Sequence, residues 1–551
     1  MHRFNVKIEK FFYLLILGVI CFQYFRIASQ TGFLFDDWGS LYTSSQGYVK
    51  AVSNWWDIWL IRPFALMVLP LIISILGSKN ALFYFILLFC LNIICLRLFW
   101  ITLQEVLTKR QIILFTVLAS TPFIASTSIL SPVNQLQTSF SLLFLLLFTF
   151  YSVKNFSSMK VKRVLLISLL CISLFFYEVT LPLIIIPLYL AYIRGKKYFL
   201  FLLNSILFAI SFVIFWQKII SPVLVSVDYS RLQVLDLSSA ASYCYQIFVG
   251  IPIRMFVGVT YSKIHIFSFF LFSSLLFLLF LLWKSIGNES QNLISRKYFL
   301  RFIVMGFVIS MCLFFMSGLV ADTTSYANRL LSSTWLLLSL LVSFLFRIDR
   351  GSLRMYTVAI VVAANLSNFG LVVSESIQAS KLRNSLVNSF LSNIEEHEIA
   401  SAGIENILVD IPCTLENSFS KALIFCANWD LDSALRLQGY RGPSVYVISS
   451  SSNFDAENGI LKMGTVELRH DKSLLLGVEK SVVVKWKVYP NPTALFIDNS
   501  KLFVRNHLPI LEGSQYNCLN QFRHFDNFIT TDSSRIQSGL NCLADPFQLH
   551  I

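Results

Sequence analysis

Phe11-Phe12-Tyr13-Leu14-Leu15-Ile16-Leu17-Gly18-Val19-Ile20-Cys21-Phe22 runs without a charge, and the chain soon reaches Thr31-Gly32-Phe33-Leu34-Phe35-Asp36-Asp37-Trp38. The apolar segment from Phe11 to Ala28 has the hydrophobicity of a signal-peptide core. It lacks a small-residue cleavage site and is flanked by Arg3, Lys7 and Lys10, so it reads as an uncleaved first helix with a cytoplasmic N-terminus. The acidic pair then falls just outside the membrane. Two adjacent carboxylates beside a bilayer are costly unless they meet a cation, a metal or a proton to be abstracted. A solvated loop pair or a helix N-cap is the plainer alternative.

Moving outward, the same apolar character recurs. Hydrophobic residues make up 56% of the 551 residues against 13% charged, there are 52 Phe, and the mean hydropathy is +0.68. Runs near 20 residues recur through the first two thirds, each long enough to span a bilayer as a helix. The net charge of +14 does not point to nucleic acid, because the cations cluster in short loops between apolar runs, the positive-inside pattern.

Four basic clusters set the expected topology. They are Lys154, Lys160, Lys162 and Arg163; Arg194, Lys196 and Lys197; Lys284, Arg296, Lys297 and Arg301; and Arg347, Arg350 and Arg354. With all four in the cytoplasm, 164–193 becomes a hairpin of two short helices with Tyr177-Glu178 at its outer tip. Helices near 199–216 and 264–283 flank an external segment, those near 302–320 and 330–346 flank 321–329, and a last helix near 355–373 exits. The loop 30–62 is external. The runs 63–78 and 81–100 leave Lys109-Arg110 on the wrong side, unless 63–78 is a juxtamembrane or re-entrant segment. About 11 helices follow from this reading. Residues 1–375 form the membrane domain.

From about 376 the composition turns to Ser, Asn and Asp. Residues 376–551 read as an extracytoplasmic mixed α/β domain, with strands expected at 407–409, 445–448 and 482–488. Its cysteines, Cys413, Cys426, Cys518 and Cys542, form two disulfides or stay as buried thiols. The other six cysteines read as packing residues.

The charges placed outside or near the outer boundary include Asp36, Asp37, Asp57, Arg62, Glu178, Asp228, Arg231, Asp236, Arg254, Lys263, Asp322 and Arg329. The Asp pair, Arg62 before Pro63, Glu178, and Tyr326-Ala327-Asn328-Arg329 each stand at an apolar helix end. Helix packing that gathers them around one cavity relieves their cost. Such a set suits group transfer from a lipid phosphate: a carboxylate serves as general base and an arginine holds the departing phosphate. Each has a plainer reading, with Arg62 and Arg329 as headgroup contacts and Glu178 as a solvated tip. Trp38, Trp55, Trp56 and Trp59 stack on sugar or anchor the loop at headgroup depth. Asn134, Gln135 and Gln137, in the polar segment 121–137, are candidates for sugar hydroxyls, with ordinary loop chemistry as the simpler expectation. His265 reads as an interface residue. No Walker, Rossmann or zinc-spacing motif is present.

Phe35-Asp36-Asp37-Trp38, Arg62-Pro63 and Tyr177-Glu178 at a hairpin tip resemble the GT-C superfamily of polytopic glycosyltransferases, and within it the bacterial O-antigen (serotype-converting) glucosyltransferases. The resemblance covers about 1–375 and is mostly architectural; Gly39-Ser40 departs from the commoner pattern. It implies a mainly α, polytopic transmembrane bundle in the inner membrane with its site on the periplasmic side. It implies inverting transfer of a sugar, glucose by analogy, from undecaprenyl phosphate to a lipid-linked O-antigen repeat. The catalytic carboxylate carries over onto Asp36 or Asp37, with Glu178 orienting the acceptor or an arginine, and the phosphate-binding base onto Arg62 or Arg329. Trp38, Tyr326 and Asp322 are expected near substrate. Two carboxylates are a thin metal site, so no metal or other cofactor is expected. A lipid-linked glycan flippase, an O-antigen polymerase or ligase, and a glycan-binding sensor are the competing readings.

Overall fold

The computed structural model describes residues 18, 20–34, 36–153, 159–224, 237–255, 294–317, 323, 326–345, 352–393, 406–410, 430–448, 454–457, 460–463, 474–477 and 481–485, with 420, 422 and 424–425. The expected helix at 264–283 lies outside these residues. So do Asp228, Arg231, Asp236, Lys263, His265, Asp322 and the four C-terminal cysteines, as do the side chains of Asp36, Asp57 and Tyr326.

The described chain is mainly helical. Among the described residues six helices are long and apolar enough to cross a membrane: Ala81–Leu103, Gln135–Val153, Lys196–Leu224, Tyr298–Met316, Asn328–Leu345 and Ile360–Asn388. Pro63–Leu76 and Gln111–Ala125 are shorter apolar helices. Large apolar side chains such as Ile75, Ile93 and Phe208 stand exposed on these helices, as lipid-facing residues do and water-facing ones rarely do. The protein is a multi-pass membrane protein.

Local chemistry sets the helix ends. After α1 (20–30), α2 (Asp36–Ser45) and α3 (Tyr48–Trp59), helix α4 (Pro63–Leu76) starts with proline at its first position, behind Arg62. Asn80 caps α5 (Ala81–Leu103) by accepting from Leu82 N at 3.0 Å. Thr108 and Gln111 make a reciprocal capping box on α6 (Lys109–Ala119). A short α7 (Thr127–Leu130) leads into α8 (Gln135–Val153), and α9 (Met159–Phe176) packs against α8.

The expected hairpin over 164–193 takes a particular form. Helix α9 stops at Tyr177, whose backbone is extended, and a 3-10 turn over Glu178–Ile184 leads into α10 (Ile185–Arg194). Gly195, at φ 120°, separates α10 from α11 (Lys196–Phe215); that conformation is open to glycine at no steric cost. A π-turn at Trp216–Ile220 continues into α12 (Ser221–Leu224). Then come α13 (Leu237–Tyr245), α14 (Ile294–Ser317), a 3-10 turn at Tyr326–Leu331, α15 (Ser332–Leu345) and the 42-residue α16 (Ser352–Asn393). The last helix runs well past its expected end near 373.

The chain divides into two compact units. The first comprises Met1–Phe33, Thr43–Ile377 and Phe419–Ala422; the second comprises Leu34–Tyr42, Gln378–Ser418 and Leu423–Ile551. The core of the first is rich in aromatics. Phe176 stacks on Phe140 and Phe144 with centroids 5.3 and 5.9 Å apart, and Tyr189 meets Phe299 at 4.7 Å.

In the second unit, strands β1 (Asn406–Asp410), β2 (Ser444–Ile448) and β6 (Ser481–Lys485) form a parallel sheet in the order β2-β1-β6. Helix α17 (Asp430–Leu437) lies between β1 and β2 in the chain, giving a parallel crossover unit. Ile407 and Val409 pair with Val445 and Val447, and all four are buried on alternate positions. Asp432 ties the helix to the sheet, accepting from Val445 N at 2.9 Å and from Arg436 Nε at 2.8 Å. Strands β3 (Phe454–Glu457), β4 (Ile460–Met463) and β5 (Leu474–Gly477) form a separate antiparallel meander.

Candidate active site

Arg62 and Glu178 meet, although 116 residues separate them in sequence. Arg62 Nε donates to Glu178 Oε2 at 2.9 Å and Nη2 to Oε1 at 2.5 Å, the planar fork-to-carboxylate geometry that only arginine offers. The Arg62 guanidinium also lies 4.3 Å from the centroid of the Tyr177 ring, within cation–π range. The Arg62 side chain is 5% exposed and that of Glu178 29%. Arg62 is therefore not a headgroup contact, and Glu178 is not a freely solvated tip: one is buried, and the other is ion-paired and partly exposed.

Burial works against the Arg62 charge, but Glu178 and then Tyr177 outweigh it and hold its pKa above the ordinary value. Arg329 acts the other way, as a second cation near enough to be felt. Three of the residues singled out from sequence, Arg62, Glu178 and Arg329, are thus brought together, with Tyr177 beside them.

Their positions are built by buried polar contacts. The loop before Arg62 is held by Trp216 Nε1, which donates to Leu60 O at 3.0 Å, and by Gln217 Nε2, which donates to Ile61 O at 3.4 Å. The break at Tyr177 rests on three hydroxyls. Ser141 Oγ donates to Tyr177 O at 2.7 Å and lies 2.6 Å from Thr180 Oγ1; Ser173 Oγ donates to Ser141 O at 2.8 Å. Ser333 Oγ donates to Val179 O at 2.5 Å. The backbone groups freed where α9 stops are thereby met by side chains, as burial requires.

The turn that carries Arg329 is anchored through its neighbour. Asn328 Oδ1 accepts from Thr127 N at 3.1 Å and Thr127 Oγ1 at 2.5 Å, while its Nδ2 donates to Ser126 Oγ at 3.1 Å. The segment 121–137 is accordingly no ordinary exposed loop: Thr121, Ser126, Thr127, Ser131, Asn134, Gln135 and Gln137 are all buried. Its polarity serves internal contacts.

Asp37 belongs to the second compact unit, with Asp36 and Trp38. It is fully buried, and its Oδ2 accepts from Leu34 N at 3.0 Å, so it is not a solvated loop residue. Within the same unit Arg383, 1% exposed, interacts electrostatically with Asp430 and Asp37, both 0% exposed. Sequence reasoning missed Arg383. The signal was there: Ala379, Leu382, Leu386, Val387 and Phe390 are the buried stripe of the extended α16, and Arg383 lies on it. A charge on an apolar stripe calls for a partner.

Among the described residues no three of His, Cys, Asp or Glu cluster so as to hold a metal ion. No protein-family model and no curated protein matches the chain. Among solved structures it is similar to ArnT from Cupriavidus metallidurans in the apo state, at 11% identity and a TM-score of 0.32, over 80% of this chain and 86% of that one. At that score the likeness does not establish a common fold.

Proposed function

We propose that the protein is an inverting glycosyltransferase. It moves a sugar, glucose by analogy, from undecaprenyl phosphate to a lipid-linked O-antigen repeat on the periplasmic side of a bacterial inner membrane. The reading rests on the sequence resemblance, and the observation that carries it is the Arg62–Glu178 pair with Arg329 as a second cation, set among apolar helix ends.

The chemistry follows from charge. The resemblance assigns the base to Asp36 or Asp37: a carboxylate takes the proton of an acceptor hydroxyl, whose oxygen attacks the anomeric carbon of the donor. The carbon–oxygen bond to the phosphate breaks, and the phosphate leaves with an added negative charge. Two guanidiniums are suited to receive it, because charge that develops in the transition state is best met by donors already in place. Glu178 fixes the plane of Arg62. No step calls for a metal or other cofactor.

The test is Asp36→Asn and Asp37→Asn, singly, in cells making a smooth lipopolysaccharide. O-antigen mass is read by mass spectrometry at matched membrane levels. Loss of one added hexose per repeat in one variant identifies the base. A wild type that adds no sugar refutes the transferase reading and favours transport or polymerisation. Unchanged O-antigen in both variants moves the base to Glu178.

A further inference from the structure

Three residues, Leu60 to Arg62, join α3 to α4. Pro63 keeps Arg62 out of the helix, at φ −128° and ψ 69°. Carbonyls at the end of a helix need donors from outside it. Here both donors come from 156 residues further on: Trp216 Nε1 donates to Leu60 O at 3.0 Å and Gln217 Nε2 to Ile61 O at 3.4 Å. Two successive side chains thus meet two successive carbonyls.

A regular α-helix turns successive side chains apart by about 100°. At this point the backbone is wider. Trp216 opens the π-turn, with Ser221 N donating back to Trp216 O. More residues per turn means a smaller angle between neighbours, so Trp216 and Gln217 address the same short segment. Such turns are rare and recur at functional sites.

Trp216 also reaches the other half of the ion pair. Its ring meets Phe175 edge-on, with centroids 5.8 Å apart, two residues before Tyr177. Phe64, two residues after Arg62, packs on Phe175 and Phe176 at 6.2 and 5.9 Å. The end of α9, which leads to Tyr177-Glu178, is therefore tied to the start of α4, which follows Arg62, and Trp216 touches both sides. The fork between Arg62 and Glu178 needs this register, because bonds of 2.9 and 2.5 Å tolerate little displacement.

We infer that Trp216 and Gln217 are positioning residues: the π-turn holds the Leu60–Ile61 backbone so that the Arg62 guanidinium is already fixed against Glu178 when the phosphate departs. The inference rests on the proposed glycosyltransferase reading and deepens it. Donors set in advance act on the transition state more than on the bound ground state. Loosening them therefore lowers kcat and leaves KM unchanged.

The test uses the purified full-length protein in detergent. Trp216→Phe keeps an aromatic ring against Phe175 and loses the N–H; Gln217→Met loses the amide. Trp335→Phe is the control, since it deletes the same kind of bond, from indole Nε1 to Leu118 O at 2.9 Å, in a different segment. Two quantities are read: backbone hydrogen exchange over 60–66, and kcat and KM for transfer from undecaprenyl phosphate carrying glucose. Each of the first two variants should speed exchange over 60–66 about tenfold and lower kcat about tenfold at constant KM. Trp335→Phe should do neither. In an Arg62→Lys background Trp216→Phe should lower kcat by less than about twofold, because its effect passes through a fork that is already lost. Exchange over 60–66 no faster than in the control overturns the inference, and so does a full tenfold further loss in the Arg62→Lys background. A wild type that transfers no sugar refutes the transferase reading alone; the exchange comparison is independent of it and still upholds or overturns the hold on the Arg62 segment.

Discussion

Two buried charge clusters differ in how completely they are closed. In the first compact unit, Arg62 is sealed but Glu178 keeps 29% of its side chain accessible. In the second, Asp37, Arg383 and Asp430 are all within 1% of full burial. In a fully closed cluster every charge faces the interior of its own unit. A half-open pair holds one partner rigid and presents the other to a ligand. On this contrast Asp37 faces the interior of its own unit, whereas part of the Glu178 side chain faces outward.

The sharpest way to break the comparison is Arg383→Met. Removing a buried cation that faces two buried carboxylates should cost about 3–5 kcal/mol, seen as a large fall in melting temperature or loss of folded protein from the membrane. Adding Asp37→Asn should recover part of the loss. If Arg383→Met melts like wild type, the cluster is not closed. The next effect belongs to the open pair. Arg62→Lys keeps the charge and loses the fork, and sugar transfer should drop about a hundredfold (roughly 2.7 kcal/mol in activation), with little change in melting. A parallel fall in both would make Arg62 structural. Ser141→Ala should destabilise by about 1–2 kcal/mol, because one hydroxyl serves Tyr177 O and Thr180 together. Trp216→Phe should be the mildest, about 1 kcal/mol, through the lost bond to Leu60 O; calorimetry in detergent reads both.

Much of the membrane architecture was legible because hydrophobic length is a direct signal. The runs near 81–100, 199–216, 302–320 and 330–346 correspond to α5, α11, α14 and α15. Strands at 407–409 and 445–448 were visible from β-branching. Arg62 and Glu178 stood out as charges at apolar helix ends, but nothing local in the sequence says that they pair. The polar segment 121–137 was misread for a related reason. Its composition matches a solvent loop, and the partner that buries part of it, Asn328, is 201 residues from Thr127. The end of α16 was missed because hydropathy fades after 373 while the apolar periodicity continues past Arg383.

The distance in sequence between Arg62 and Glu178 has a consequence for biosynthesis. At about 5–20 residues per second, the 116 residues between them take about 6 to 23 s to make. For that interval a nascent chain carries its arginine without the carboxylate that stabilises it. The first helices must therefore wait, with Arg62 in water or among headgroups, and the α4 region can settle only when the ribosome has passed Glu178. A chain stalled between the two should remain sensitive to proteases at 60–62, where the finished protein is locked.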